Sequence, residues 1–204
     1  MTIFIKICGL TDAAAVTAAV DCGADAVGFV FADSLRRITV RDAVGLAGGV
    51  PQGIKRVAVM LHPSKGEWRE VRDGFRPDAL QTDLTDFAFL DVPDGIEKWP
   101  VLRQGGVTES DAIPEMFVYE GKASGSGEAV DWQAAARLAK RNKMILAGGL
   151  NVANVAEAIR EVAPFGVDVS SGVESEPGKK DTIKIQAFIE AVRTAGSVVE
   201  EAKI

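Results

Sequence analysis

The sequence predicts a single-domain α/β protein, a (β/α)8 TIM barrel over residues 1–204, because eight strand-like segments alternate with helical ones without a break in composition. The second strand, Ala26–Phe31, is an almost unbroken apolar run, as expected for a parallel strand covered on both faces. Polar and glycine-rich residues follow the predicted strands directly, where the loops of such a barrel build its active site. A doubly wound open sheet is the alternative architecture.

Each strand is predicted from a short apolar run that is rich in β-branched or aromatic residues. In chain order the predicted strands are Ile3–Cys8, Ala26–Phe31, Arg56–Leu61, Ala79–Gln81, Pro100–Arg103, Phe117–Glu120, Met144–Ala147 and Val167–Ser170. The segment after the fourth strand is predicted to be irregular.

Helices are predicted from helical spacing of apolar residues and from polar residues that can cap a first turn. The first helix is Ala-rich, begins after Thr11 or Asp12 and ends near Cys22. Asp131 is predicted to cap the helix that begins at Trp132. The later helices are Thr39–Leu46, Lys65–Asp73, Trp132–Arg141, Asn151–Val162 and Ile183–Thr194.

The formal net charge of −6 argues against a nucleic-acid partner and against an anionic membrane, because both need a basic surface. No apolar run reaches the roughly 20 residues of a membrane helix, and we expect no signal peptide, so the predicted location is cytoplasmic. The expected partner is a small phosphorylated molecule bound in a locally positive pocket. A monomer and a homodimer are both compatible with the sequence.

Two cysteines, Cys8 and Cys22, and one histidine, His62, do not form the pattern of a metal site. The cysteines are expected to be reduced, because one lies on a strand and the other at a helix end. His62 is expected to be a loop residue. The glycine-rich segments lack dinucleotide spacing, so neither a metal nor an organic cofactor is expected.

The most informative motif is Lys6-Ile7-Cys8-Gly9 on the first strand. Side chains alternate between the two faces of a strand, so Lys6 and Cys8 point one way while Ile5 and Ile7 point the other. A cation and a thiol on one face are poor core material. They suit a site that holds an anion and moves a proton.

A second motif, Val167–Glu174, lies near the other end of the chain. Its small residues Ser170, Ser171 and Gly172 leave backbone N–H groups free to bind a phosphate. Gly148 and Gly149 follow the preceding strand, and barrels often bind a phosphate between the loops after strands seven and eight. The sequence therefore predicts one phosphate site built by these two loops.

Together these motifs resemble the phosphoribosylanthranilate isomerase family of tryptophan biosynthesis. The resembling segments are Lys6–Thr11, Gly23–Phe31, Ser34–Ile38, Gly125–Gly127 with Asp131-Trp132, Ala147–Asn151 with Asn154-Val155, and Val167–Asp181. The resemblance is weakest from about Leu61 to Glu120. It implies an Amadori rearrangement of N-(5-phosphoribosyl)anthranilate, in which an acid opens the sugar ring and a base removes the C2 proton.

The resemblance makes Cys8 the general base of that reaction. An ordinary thiol has a pKa of about 8.5, so the pKa of Cys8 must fall for the thiolate to dominate at neutral pH. Lys6 on the same face of the strand is placed to lower it.

The resemblance places the general acid at the end of strand six, where the family has an aspartate and this chain has Glu120. Glutamate is one methylene longer and can donate the same proton if the pocket keeps it protonated. Asp131 is the other carboxylate nearby, although its position before Trp132 favours helix capping.

The resemblance also implies that Arg36 pairs with the anthranilate carboxylate, a task suited to a bidentate guanidinium, with Arg37 as the alternative. Asp168 is predicted to orient Cys8 or the substrate hydroxyls, or only to complete a buried network. Gly125-Ser126-Gly127 resembles a loop that closes over the substrate. The predicted substrate-binding set is Lys6, Arg36, Gln81, Arg103 and Asp168.

Where the family often reads Gln-Leu-His-Gly after strand four, this chain reads Gln81-Thr82-Asp83-Leu84. The glutamine is kept and the histidine is lost. Two other functions therefore stay open: an isomerase acting on another phosphorylated aminoaldose, and a barrel that binds phosphorylated ligands without catalysis. An arginine for the substrate carboxylate separates the first alternative from the anthranilate reaction.

Overall fold

The computed structural model describes residues 2–106, 113–122 and 130–201, with side chains up to residue 197. Eight parallel strands close into a barrel in which each strand pairs with its neighbour in sequence and the last pairs with the first. In the closing register, Lys6 lies opposite Asp168. The predicted (β/α)8 barrel is confirmed and the open sheet is wrong.

The barrel strands are β1 Phe4–Cys8, β2 Ala26–Val30, β3 Lys55–Val59, β4 Ala79–Asp83, β5 Glu97–Arg103, β6 Met116–Glu120, β7 Lys143–Leu146 and β8 Gly166–Val169. The helices of the described residues are α1 Ala13–Asp21, α2 Val40–Ala47, α3 Lys65–Phe75, α4 Trp132–Ala139, α5 Val155–Val162 and α6 Thr182–Glu201. Short 3-10 helices cover Leu84–Ala88 and Ser171–Val173, and a hairpin of β9 Glu174–Glu176 and β10 Lys179–Lys180 follows β8.

Alternation along β1 separates the two cores of the barrel. Ile5 and Ile7 pack outward with the helices, where their side chains are fully buried. On the inner face, Phe4 packs edge-on against Trp99 of β5, with ring centroids 5.8 Å apart. Lys6 is buried above this aromatic floor. The inner face therefore becomes polar toward the carboxyl ends of the strands.

Helix caps decide several boundaries. Asp12, not Thr11, caps α1 by accepting a hydrogen bond from the backbone N–H of Ala15 at 2.8 Å. Asp131 caps α4 as predicted, accepting from Gln133 N at 2.9 Å and Ala134 N at 3.1 Å. Both contacts satisfy N–H groups that a first helical turn leaves without intrahelical partners.

Helix α5 begins four residues later than predicted. The side chain of Asn154 accepts a hydrogen bond from Asn151 N at 2.8 Å, and the side chain of Asn151 accepts one from Ala153 N at 2.9 Å. These bonds fix a non-helical turn, because asparagine side chains compete with helical backbone bonding. The helix therefore begins at Val155.

Other boundaries also differ from the prediction, and helix α6 runs to Glu201, seven residues past its predicted end at Thr194. Strand β4 extends to Asp83, which places that carboxylate at the mouth of the barrel. Strand β5 begins at Glu97 because it pairs with Ala79 at the start of β4. The hairpin of β9 and β10 was not predicted. No helix among the described residues combines the length and the apolar character needed to cross a membrane.

Candidate active site

A cavity of about 400 Å³ opens at the carboxyl ends of the barrel strands. All eight strands, or the loops that follow them, contribute residues to its wall. The predicted site residues on the wall are Cys8, Arg36, Gln81, Arg103, Glu120, Gly148, Gly149, Asp168, Ser170 and Ser171. Lys6 is fully buried and does not line the cavity, and Gly172 packs against the backbone of Leu150, which does line it.

Cys8 shares the barrel interior with an ion pair between β1 and β8. Lys6 Nζ lies 2.8 Å from Asp168 Oδ2, and the Lys6 side chain is fully buried. A Cβ atom on Gly28 of β2 would lie 3.1 Å from Cys8 Sγ and 3.2 Å from Lys6 Cε. A glycine at this position therefore leaves the thiol and the ammonium their space, a common reason for glycine inside a strand.

Burial raises the pKa of the Cys8 thiol, and the positive charges of Lys6 and Lys180 oppose this effect without overcoming it. As expected, the charge of Lys6 acts to lower the pKa of Cys8. Burial has the larger effect, so the pKa of Cys8 is raised overall. Burial, which alone would lower the pKa of Lys6, is outweighed by Asp168 and Cys8, so Lys6 stays an ammonium. Buried charges of this kind need partners.

Arg36 is held by a carboxylate that the sequence did not identify as a site residue. Glu174 of β9 accepts hydrogen bonds from Arg36 Nε at 2.6 Å and from Arg36 Nη2 at 2.9 Å. Lys180 of β10 donates to the same carboxylate at 2.8 Å. Gly9 has a φ of +74°, and a Cβ atom there would lie 2.6 Å from Arg36 Cδ. Glycine therefore lets the arginine side chain cross the start of this loop.

Lys180 also binds the loop after β8. Its Nζ donates to the backbone oxygen of Ser170 at 2.9 Å and to the Ser170 hydroxyl at 3.1 Å. Burial lowers the pKa of Lys180, while Glu174 opposes the change. A lysine in a loop is ordinarily solvated, so only the hairpin that folds back over the barrel identifies this one.

Glu174 is expected to stabilise the fold in a pH-dependent way. Burial alone would raise its pKa, but hydrogen bonds from Arg36 and Lys180 lower it from 4.5 to about 2. The stabilisation is therefore complete above about pH 4.5 and is lost as the pH falls toward 2. Glu174→Gln should lower the free energy of unfolding at neutral pH by at most about 3 kcal/mol.

Denaturant unfolding at neutral pH and near pH 3 measures this effect. The difference in the free energy of unfolding between wild type and Glu174→Gln should be smaller at the lower pH. Glu176→Gln is the matched control, because Glu176 is exposed on the same strand. An equal difference in the free energy of unfolding at both pH values would contradict the prediction that the ionised Glu174 carboxylate stabilises the fold.

Glu120, at the end of β6, faces the cavity and is hydrogen-bonded to a side chain of β5. Arg103 Nη1 donates to Glu120 Oε1, and Arg103 Nη2 donates to Asp83 Oδ1 of β4 at 2.6 Å. The Glu120 side chain is 13% exposed, so it reaches the cavity while its carboxylate is oriented by a guanidinium. Asp131, the alternative acid, does not line the cavity and serves as the cap of α4.

The loops after β7 and β8 meet at one side of the cavity. Gly148 and Gly149 both have positive φ, and Asn154 Nδ2 holds the Gly149 carbonyl at 2.9 Å. A Cβ atom on Gly172 would lie 1.9 Å from the Leu150 carbonyl oxygen. Gly172 is thus required for the two loops to pack closely, whereas Ser170 and Ser171 line the space beside them.

Two buried acceptors in the cavity wall have no hydrogen-bond donor among the described residues. They are Gln81 Oε1 and Asp168 Oδ1. A buried polar atom without a partner costs free energy, and a ligand that donates to it recovers that cost. Hydroxyl or amine groups of a ligand are suitable donors.

Two other predicted residues lie elsewhere or outside the description. Arg37 is exposed and does not line the cavity, whereas Arg36 does. Gly125-Ser126-Gly127 lies outside the described residues. The side chains that sequence reasoning missed are Asp83, Glu174 and Lys180, along with Gly28 as a spacer.

The barrel and its polar cavity define a (β/α)8-barrel enzyme whose site combines titratable groups with a glycine- and serine-lined end. The model of the N-(5'phosphoribosyl)anthranilate (PRA) isomerase family matches residues 5–191. The chain belongs to this family.

Relatives and solved structures agree with this assignment. N-(5'-phosphoribosyl)anthranilate isomerase from Listeria monocytogenes is 41% identical over 93% of this chain and 98% of its own length. The corresponding Streptococcus pneumoniae protein is 39% identical over 93% and 95%. TrpF from Jonesia denitrificans superposes with a TM-score of 0.77 at 32% identity, covering 95% of this chain and 98% of its own.

A further structure holds a ligand. It is a phosphoribosyl anthranilate isomerase in complex with reduced 1-(o-carboxyphenylamino)-1-deoxyribulose 5-phosphate. It superposes with a TM-score of 0.75 at 29% identity, covering 94% of this chain and 99% of its own. A structure of mutually generated monomers of the dimeric phosphoribosylanthranilate isomerase from Thermotoga maritima is a similar match, with a TM-score of 0.75 at 28% identity and coverage of 94% of this chain and 99% of its own.

Proposed function

We propose that this chain catalyses the Amadori rearrangement of N-(5-phosphoribosyl)anthranilate to 1-(2-carboxyphenylamino)-1-deoxyribulose 5-phosphate in tryptophan biosynthesis. Cys8 is the general base and Glu120 the general acid. The observation that carries the assignment is that a buried thiol on β1 and an oriented carboxyl group on β6 face one cavity. No cofactor takes part in the proposed steps.

Ring opening comes first. The nitrogen lone pair of the substrate forms the C1–N double bond while the bond between C1 and the ring oxygen breaks. The ring oxygen takes a proton from Glu120, and the product is an open-chain iminium. Arg103 keeps the carboxyl group of Glu120 at the cavity, and the step requires Glu120 to hold its proton beside the positive charge of this guanidinium.

Proton removal follows. The Cys8 thiolate takes the C2 proton, and the released electron pair forms the C1–C2 double bond as the iminium becomes an amine. The Cys8 thiol then gives its proton to C1 of the resulting enolamine, and the C2 hydroxyl gives its proton to the Glu120 carboxylate. These transfers form the ketose and return Cys8 and Glu120 to their starting protonation states. Lys6 and Lys180 favour the thiolate, although burial in the free protein keeps the net pKa of Cys8 raised.

The two ends of the substrate are bound by opposite charges. Glu174 occupies the Nε–Nη2 edge of Arg36, so the substrate carboxylate is assigned to the Nη1–Nη2 edge. The phosphate is assigned to the backbone of the loops after β7 and β8, at Gly148, Gly149, Ser170, Ser171 and Gly172. Lys180 supplies the positive charge beneath Ser170.

Gln81 and Asp168 are assigned to the sugar. Their unpartnered oxygens are acceptors for the substrate hydroxyls. Asp168 also holds Lys6, so it orients the cation nearest the thiol. A cytoplasmic location and either a monomeric or a homodimeric state remain the predictions for the chain as a whole.

The test is an assay of the purified protein with phosphoribosylanthranilate generated in situ, following the loss of fluorescence as the ketose forms. Saturable turnover without added metal or cofactor is expected. Binding of inorganic phosphate without turnover would favour the two alternatives, a different phosphorylated aminoaldose or a barrel that binds without catalysis.

A further inference from the structure

His62, expected to be an ordinary loop residue, contacts two carboxylates at the mouth of the barrel. It follows β3 with a φ of +46°, and its backbone N–H donates to Asp86 Oδ2 at 3.2 Å. Its Nδ1 lies 3.0 Å from Asp86 Oδ1, and its Nε2 lies 3.1 Å from Asp83 Oδ2. Its side chain is 60% exposed, so protons from solvent reach it freely.

Asp83 connects His62 to the proposed acid. Its second oxygen, Oδ1, accepts a hydrogen bond from Arg103 Nη2 at 2.6 Å, and the other amino group of Arg103 binds Glu120. The contacts therefore run from β3 through β4 and β5 to β6, along the carboxyl ends of four neighbouring strands. Every side chain in this series of contacts is charged or becomes charged on protonation.

The geometry favours the protonated form of His62. Only an imidazolium carries a hydrogen on both ring nitrogens and can donate to Asp83 and Asp86 at once. Asp86 is held in place by Thr82 at 2.5 Å. The hydrogen bond to Asp86 and the negative charges of Asp86 and Asp83 raise the pKa of His62, while burial and the charge of Arg103 oppose the change.

We propose that His62 is a positioning residue that acts through Asp83 and Arg103 to hold the Glu120 carboxyl group in the cavity, so that turnover depends on the protonation of His62. This inference rests on the proposed role of Glu120. When His62 is protonated, it shares the negative charge of Asp83 with Arg103. When it is neutral, Arg103 alone faces that charge and is drawn from Glu120 toward Asp83.

His62→Asn is the variant that separates positioning from folding. Asparagine is tolerated in the left-handed region that His62 occupies, and its amide can keep the bond to Asp86 but is too short for Asp83. We expect kcat to fall about tenfold, less than the loss of a general acid itself, while KM changes by less than about twofold. The decline of wild-type kcat as the pH rises through the pKa of His62 should also vanish.

Asp83→Asn and the double variant complete the test. If His62 acts only through Asp83, the double variant should have the kcat of Asp83→Asn alone. Lys65→Asn, an exposed change in the same segment, is the control and should leave kcat and its pH profile unchanged. The experiment uses wild type first, since wild-type inactivity would overturn the isomerase proposal itself.

If wild type is active, an unchanged kcat and pH profile in His62→Asn overturns the positioning role alone. Additive losses in the double variant overturn the route through Asp83. A fall in kcat that keeps the wild-type pH profile assigns His62 a structural role and also contradicts the proposal. Each result is independent of whether Cys8 is the base.

Discussion

Replacing Cys8 with alanine should reduce kcat/KM by at least about a thousandfold, within the range that a general base contributes. Alanine removes the only proposed acceptor for the C2 proton and leaves a small space in the cavity wall, where substrate can still bind. KM should therefore change little compared with kcat. The rate of ketose formation at saturating substrate measures the effect, and circular dichroism checks the fold.

Cys22→Ala is the matched control for this experiment. Cys22 lies at the end of α1, is partly exposed and does not line the cavity, so its loss should leave turnover unchanged. The same variant leaves Cys8 as the single thiol, whose ionisation can be followed by ultraviolet absorbance. Its midpoint in the free protein should lie above the ordinary thiol pKa, because burial dominates. Near-normal turnover in Cys8→Ala would contradict the assignment of Cys8 as the general base.

The sequence predicts the inner face of β1 correctly because strand alternation is a local rule. Lys6 and Cys8 lie on the inner face, while Ile5 and Ile7 pack against the helices. The net pKa shift of Cys8 is not local. Lys6 is visible in the sequence, but the burial that outweighs it depends on how the whole barrel closes.

Glu174 and Lys180 show why part of the site could not be predicted from the sequence. Both follow the last strand in a segment where charged side chains are ordinarily solvated. A two-stranded hairpin folds this segment back onto the loop after β8, so that Glu174 is buried against Arg36 and Lys180 is buried against Glu174 and Ser170. Both residues lie in the resembling segment Val167–Asp181, but the contact between Glu174 and Arg36 joins residues 138 positions apart in the sequence.

The contacts around Glu120 were hidden for a related reason. Asp83, Arg103 and Glu120 come from three different strands, and only closure of the sheet places their ends side by side. The sequence gives the end of each strand to within a few residues, and β4 was predicted two residues short. That error removed Asp83 from the predicted site, since it appeared to lie in an irregular segment.

Replacing Glu120 with glutamine should lower kcat by about a hundredfold or more, because an amide cannot donate the proton that opens the sugar ring. Glutamine keeps the size of the side chain, so loss of packing is not the cause. Glu120→Asp should recover part of the activity, since it restores a carboxylic acid, although one methylene further from Arg103. Single-turnover rates with phosphoribosylanthranilate separate this chemical step from product release.

Two control variants locate the effect at the cavity end of β6. Glu115→Gln makes the same change just before this strand, where Glu115 is 80% exposed and pairs with Lys143 at 2.9 Å, so turnover should not change. Asp131→Asn tests the alternative acid and should cost at most about 1 kcal/mol of stability through the α4 cap, with normal kcat. If Glu120→Gln stays active while Asp131→Asn loses turnover, the proton comes from the helix cap rather than from β6. Retained activity in both would place the proton donor elsewhere in the cavity and leave Arg103 with a structural role only.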